Sequence, residues 1–259
     1  MKALAQYLAL SRRAVLNTLR QPTSVIPSLA FPLLFLALTS AAFDRSTALP
    51  GFPPVDSFLQ FVISTTIVQG ALFGSIAAGS DMATDIEGGF FDRLVASPVA
   101  RTSILVGRLM GSVAFGFTQA WVFFVIASIF GLEVEGGFVA MVLITFVAGV
   151  LAGGIGSISV AFALRTGSSE AVRGSFPLLF SLLFLSSAFF PRNLMNGWFQ
   201  TAADLNPLSH MIEGLRTQVI DGLDLAAFGV ALAIAAGILV VGTSFAGLAL
   251  RGRLAAHHL

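Results

Sequence analysis

Residues 136–164 read GGFVAMVLITFVAGVLAGGIGSISVAFAL, a run of 29 positions with no charged side chain, bounded by Glu135 and Arg165. A soluble helix of this length would need polar residues at helical spacing to solvate one face, and here they are one threonine and two serines. Crossing the hydrocarbon core of a bilayer takes about 20 consecutive apolar residues, so this run is long enough to cross. Further uncharged windows cover 21–43, 57–80, 109–132, 174–191 and 225–250. All but 174–191 are comfortably long; that one sits near the lower limit of about 17 residues. Composition agrees. Of 259 residues, 56% are hydrophobic and 10% charged, against about 25% charged in an ordinary soluble domain. The expectation is an all-α integral membrane protein, a single transmembrane domain of six spanning helices.

The segment after the fifth window, 192–224, holds a weaker apolar patch from Trp198 to Leu208 between Pro191 and Pro207. It predicts short extracellular helices dipping back toward the membrane between spans 5 and 6. Residues 1–20 predict an interfacial helix: Leu4, Leu8, Val15 and Leu19 share one face, and Lys2, Gln6, Arg13, Asn17 and Arg20 gather opposite. Arg12, Arg13 and Arg20 interrupt any apolar core of a signal peptide.

Orientation follows from the basic residues. With both termini cytoplasmic, Lys2, Arg12, Arg13, Arg20, Arg93, Arg101, Arg108, Arg165, Arg173, Arg251 and Arg253 fall inside, and only Arg45, Arg192 and Arg216 outside. Net charge is near neutral, which gives no case for a nucleic-acid partner. The expected partners in the bilayer are lipids.

Several chemistries are excluded. The only lysine is Lys2, so no phosphate-binding loop of the ATPase type exists. The histidines, His210, His257 and His258, do not form a paired zinc motif, and the absence of cysteine removes disulfides and cysteine-ligated metals. Serines near Gly153, Gly154 and Gly156 lack a histidine partner in a span, and that small-residue run instead fits close helix approach. No metal site, bound cofactor or catalytic residue is expected in this chain. No ionisable residue lies within a window, which disfavours a proton-coupled carrier. Gln60, Thr66, Gln69 and Gln119 are candidates for lining a cavity, with interhelical hydrogen bonding as the commoner use of such groups. Pro27 and Pro32 are expected to kink the first span.

The charged segment 81–108 contains Glu87, Gly89, Asp92, Arg93, Leu94, Ser97, Pro98, Arg101, Ile104, Leu105, Gly107 and Arg108 in the order E-x-G-x-x-D-R-L-x-x-S-P-x-x-R-x-x-I-L-x-G-R. It resembles the cytoplasmic signature of ABC-2 type permeases, with Phe90 in place of a small polar residue and Asp92 and Arg108 as conservative departures. A second stretch, Ser187-Ala-Phe-Phe-Pro191, Gly197-Trp198, Leu205-Asn-Pro-Leu208 and Glu213-Gly-Leu-Arg216, is similar to the C-terminal pattern of the same family. The resemblance covers nearly the whole chain and is nearest to the daunorubicin and multidrug resistance exporter type.

The resemblance implies a permease subunit of a bacterial plasma-membrane exporter, working as two copies with two copies of a separate cytoplasmic ATPase that holds ATP and Mg. Segment 81–108 would then be a coupling loop, with Glu87, Phe90, Phe91, Asp92, Arg93, Leu94 and Arg101 contacting the ATPase. Phe90, Phe91, Leu94 and Val95 recur at near-helical spacing and would be its apolar anchors. Phe189, Phe190 and Pro191 end the fifth window beside small residues and are candidates for an extracellular gate. An amphipathic drug-like or lipid substrate fits spans that offer apolar and aromatic surface. The alternatives are a polysaccharide or glycolipid exporter permease, an intramembrane enzyme, and an accessory membrane subunit. With Trp121, Trp198 and Tyr7 as the only aromatics besides phenylalanine, a sugar-stacking channel is the weaker reading.

Overall fold

A computed structural model describes residues 2–97 and 100–256. Pro98 of the signature, His257 and His258 lie outside the described residues, as do the side chains of Lys2, Leu4 and Leu19. Among the described residues the structure is helical, with no strand. In chain order the helices are α1 (Lys2–Leu19), α2 (Pro22–Phe43), α3 (Phe58–Glu87), α4 (Phe90–Ala96), α5 (Arg101–Ile129) and α6 (Gly137–Thr166). They continue with α7 (Ser169–Gly174), α8 (Phe176–Phe184), α9 (Gly197–Leu205), α10 (Pro207–Ile220) and α11 (Leu225–Ala256).

Among the described residues five helices, α2, α3, α5, α6 and α11, are long and apolar enough to cross a membrane. The fifth window folds differently. Pro177 sits in the first turn of α8, where its missing N–H costs nothing, and the chain leaves helix at Leu185. Nine residues at about 1.5 Å each span roughly 14 Å, about half of a hydrocarbon core of ~30 Å. The prolines of α2 do not end it; the helix runs through both Pro27 and Pro32.

The charged segment is also shorter than its charges indicate. α3 continues past Asp81 and Asp85 to Glu87, and α5 begins at Arg101, so only residues 88–100 lie outside the two long helices. The charges stay within helix because they pair across the α3–α5 contact: Arg108 reaches Asp81 at 3.5 Å and also pairs with Asp85.

Helix α6 is the centre of the bundle, packed on α3, α5 and α11. Its small-residue run permits this, as expected. A Cβ on Gly154 would lie 2.9 Å from the Leu239 amide nitrogen, and one on Gly242 would lie 2.6 Å from the Gly154 carbonyl. Backbones of α6 and α11 therefore touch, which is how helices gain dispersion contact where no hydrophobic drive operates between them. The C-terminal ends of these two helices lie together, since Arg253 Nη1 donates to Leu164 O at 3.0 Å. At the opposite end the Glu135 amide donates to Val219 O at 2.9 Å, beside the start of α11. α6 and α11 thus run parallel. Residues 167–224 must carry the chain from one end of the bundle to the other.

Two buried clusters follow this axis. One, toward the start of α3, includes Phe58, Phe61, Phe123, Phe124 and Ile144. The other, toward its end, includes Met82, Phe91, Ile104, Leu164 and Val172.

Candidate functional site

At the second cluster, the end of α3 carries the signature residues. Gly89, at φ +66°, turns the chain from α3 into α4 in a left-handed conformation that suits glycine. A helix of seven residues holds little structure by itself, and α4 is held by its neighbours. Phe91 is 1% exposed and sits in the cluster with Met82, Ile104 and Leu164; Leu94 and Val95 pack partly buried against the same group. Arg13 of α1 lies 4.1 Å from the centroid of the Phe90 ring. The apolar face expected to anchor a partner is therefore turned inward, because burying it on the protein's own core is what fixes the helix. Asp92 and Arg93 face outward, as does Arg101 at the start of α5.

Helix α1 braces this end. Among the described side chains its contact face includes Gln6, Tyr7, Leu10, Ala14 and Asn17. The Ala100 amide donates to Gln6 Oε1 at 3.2 Å, Tyr7 and Thr102 hydroxyls meet at 2.5 Å, and Asn17 donates to Asp81 at 3.2 Å. Arg13 lies 3.9 Å from Asp85. A Cβ on Gly107 would fall 2.6 Å from Leu10 Cβ, which shows how closely α1 lies on α5. Leu8 stays exposed. Glu87 crosses to the second connection at this end: the Ser169 amide donates to Glu87 Oε1 at 2.8 Å, satisfying a free N–H in the first turn of α7.

At the other end, the turn 185–190 after α8 leaves carbonyls without helical partners, and α10 and α3 supply donors. Asn206 Nδ2 donates to Leu182 O at 2.6 Å and Leu185 O at 3.0 Å. Thr65 donates to Ala188 O at 2.7 Å, and Ser209 Oγ accepts from the Ser187 amide at 3.0 Å. Arg216 Nη2 donates to Ser187 O at 3.1 Å and Ala188 O at 3.2 Å. Phe189 contacts Phe35 and Phe184, each at 5.2 Å between ring centroids; Phe190 contacts Phe43 at 5.8 Å. Pro191 is buried. The sequence places Arg216 outside the membrane but does not reveal its burial. The signal that could have found it is its place in the second motif, directly after Leu215.

The candidate cavity residues lie elsewhere. Gln60, Thr66, Gln69 and Gln119 are each at most 3% exposed and sit inside the bundle. Gln119 Nε2 donates to Ile67 O at 3.0 Å and Gln60 Nε2 to Glu133 O at 3.4 Å, so these two link elements, while Thr66 bonds back to Val62 O. In the protomer, Gln119 thus bonds between helices, Gln60 bonds a loop, and Thr66 bonds within its own helix. The grouping of potential metal ligands among the described residues, Asp56, Glu133 and Glu135, is exposed.

Five long apolar helices tied together at polar ends define a multi-pass membrane protein. The chain matches the ABC-2 type transporter family over residues 5–219 and belongs to that family. It is 28% identical to the daunorubicin resistance ABC transporter permease protein of Streptomyces coeruleorubidus, over 88% of this chain and 80% of the relative. It is 24% identical to a protein of Mycobacterium tuberculosis named "Probable doxorubicin resistance ABC transporter permease protein", over 92% of this chain and 85% of the relative. Family members are transmembrane subunits, and ATP hydrolysis lies in a separate subunit.

Proposed function

We propose that the chain is the permease subunit of a bacterial ABC exporter that moves an amphipathic drug-like or lipid substrate across the plasma membrane. Two copies would assemble with two copies of a cytoplasmic ATPase, which binds ATP and Mg. The observation that carries this reading is the end of α3. There the family signature forms the end of α3 and a short charged helix, α4, with Arg13 of α1 against Phe90 of α4 and Glu87 of α3 bonded to Ser169 of α7, a packed platform at one end of an apolar bundle. A partner would meet its outward groups, Asp92, Arg93 and Arg101, and its closure would reach α7 and α8 through the same platform.

The six-span topology also belongs to this proposal. Because α6 and α11 run parallel, residues 167–224 supply one crossing. Helix α8 with the turn after it would make most of that crossing, and α9 and α10 would lie as re-entrant helices on the extracellular side. Charge asymmetry supports cytoplasmic termini, and exposed Leu8 fits α1 lying in the headgroups. Phe189 and Phe190, already in aromatic contact with α2, are the candidate extracellular gate. The relatives' resistance names support a drug-like cargo.

The test is reconstitution. The chain and a cytoplasmic ABC ATPase from its own genome, purified together into proteoliposomes, should move an amphipathic probe only with hydrolysable ATP. Failure of any such ATPase to co-purify, or probe movement independent of ATP, would sink the reading.

A further inference from the structure

A cleft of about 730 Å³ lies between α2, α3 and α7. Pro27 of α2 and Phe73, Ile76 and Ala77 of α3 form an apolar wall. One to two turns further along α3 the lining becomes polar, with Ser80, Asp81 and Thr84, and Arg173 closes that end from α7. The gradient from apolar to charged follows the helix axis, with the charged end beside α1 and α4. The volume falls in the range of about 300–1,000 Å³ typical of small-molecule sites.

The charges decide which head group fits. Arg13 and Arg108 face Asp81 and Asp85, through Arg108–Asp81 at 3.5 Å, the Arg108–Asp85 pair and Arg13–Asp85 at 3.9 Å. Two cations and two carboxylates cancel. Arg173 stands outside that network: its Nε donates to Ser80 Oγ at 3.3 Å, and no ion pair joins it to a carboxylate among the described residues. Glu87 is engaged with Ser169, and Glu170, one turn before Arg173 on α7, is exposed to solvent. Arg173, itself exposed at the mouth of the cleft, is therefore the cation of its lining with no carboxylate at ion-pair distance among the described residues. A guanidinium with free N–H groups there can take a phosphate or carboxylate through paired charge-assisted hydrogen bonds. A cationic head would meet Arg173 with its countercharge on Asp81 already taken.

We propose that this cleft is a cytoplasmic loading site for amphiphiles with an anionic head, held by Arg173 and Ser80, with the tail along Phe73, Ile76 and Ala77. This rests on the exporter reading, which puts the α3 end in the cytoplasm. A transported cargo and a resident bilayer lipid share the same chemistry, and the test separates them.

The probes are three amphiphiles with one fluorescent tail and phosphoglycerol, phosphocholine or trimethylammonium heads, bound to the purified permease–ATPase complex in neutral detergent. The phosphoglycerol probe should bind tightest. Arg173→Gln should weaken it about tenfold, the size expected for one lost charge-assisted contact, with the trimethylammonium probe unchanged and Arg173→Lys restoring part of the loss. Ala77→Phe, which fills the wall without touching a charge, should weaken all three. ATPase co-purification and melting temperature report whether each variant folds. Anionic binding unaltered in both folded variants overturns the site. Binding that depends on Arg173 without ATP-driven movement of the probe in proteoliposomes marks a resident lipid and overturns the loading role. Wild-type ATP-driven transport that ignores head charge and Arg173 leaves the exporter reading standing and removes this inference alone; no ATP-driven transport of any probe, with no ATPase bound, removes the exporter reading.

Discussion

Arg216 places its guanidinium 3.6 Å from the centroid of the Phe61 ring and donates from Nε to the Phe61 carbonyl at 3.0 Å. The same side chain is 5% exposed and holds Ser187 O and Ala188 O through Nη2. One buried cation thus joins the start of α3 to the turn that leads into Phe189 and Phe190. An unpaired buried charge would be costly, but here three carbonyls and a ring face compensate it.

Arg216→Ala should therefore strip donors from buried carbonyls, at about 1–3 kcal/mol for each group left unsatisfied. Arg216→Lys keeps the charge but loses the planar fork, so it should fall between wild type and alanine. Melting temperature in detergent checks the order. If Arg216→Ala melts with the wild type, the turn is held by Thr65, Asn206 and Ser209 without it.

Phe189 and Phe190 pack against α2 through Phe35 and Phe43. If they close the extracellular end, replacing both with alanine should raise passive leak of an amphipathic dye from proteoliposomes and raise ATP hydrolysis without substrate. Unchanged leak and unchanged hydrolysis would make them packing residues of the α2–α8 contact and nothing more.

Much of this was legible in the sequence. Five uncharged windows fall on the five long helices, and the small-residue run of α6 does mark backbone contact. The helix ends were not legible from charge, because Asp81, Asp85 and Arg108 pair between α3 and α5 and so need not leave helix. Periodicity showed that Phe91 and Leu94 share a face but gave no sign of which way the face points. A seven-residue helix has to bury that face on its own protein to exist. The burial of Arg216 was hidden for a related reason: its partners Phe61, Ser187 and Ala188 are far away in sequence, and backbone carbonyls leave no trace in residue type.

The parallel run of α6 and α11 makes topology testable in a chain without cysteine. Single cysteines at Glu170 and Leu223, both exposed, bracket the segment that carries the chain across. An impermeant thiol reagent added to intact cells should label Leu223→Cys and spare Glu170→Cys until the membrane is opened. Labelling of both from one side would mean that residues 170–223 do not cross, leaving five spans and the termini on opposite sides.

The two faces of α4 should separate folding from coupling. Phe91 fills the cluster with Met82, Ile104 and Leu164, so Phe91→Ala removes a buried ring and should cost about 3–5 kcal/mol. It should lower melting temperature and yield before it says anything about a partner. Asp92 and Arg93 are exposed, and reversing them, as Asp92→Lys with Arg93→Glu, removes no packing. Exposed charges contribute only about 0–1 kcal/mol each to stability, so the double variant should melt within a few degrees of wild type. A partner docked on that face would nonetheless meet inverted charge, and juxtaposed like charges slow association and disfavour the bound register. The expected result is a stable permease that recovers much less ATPase on co-purification and loses ATP-driven transport, while Phe91→Ala loses both together with its fold. Should the charge-reversed variant bind its ATPase and transport normally, α4 does not present the docking surface. The contact then falls to the other connection at this end, Arg165 to Arg173, which Glu87 already ties to α3.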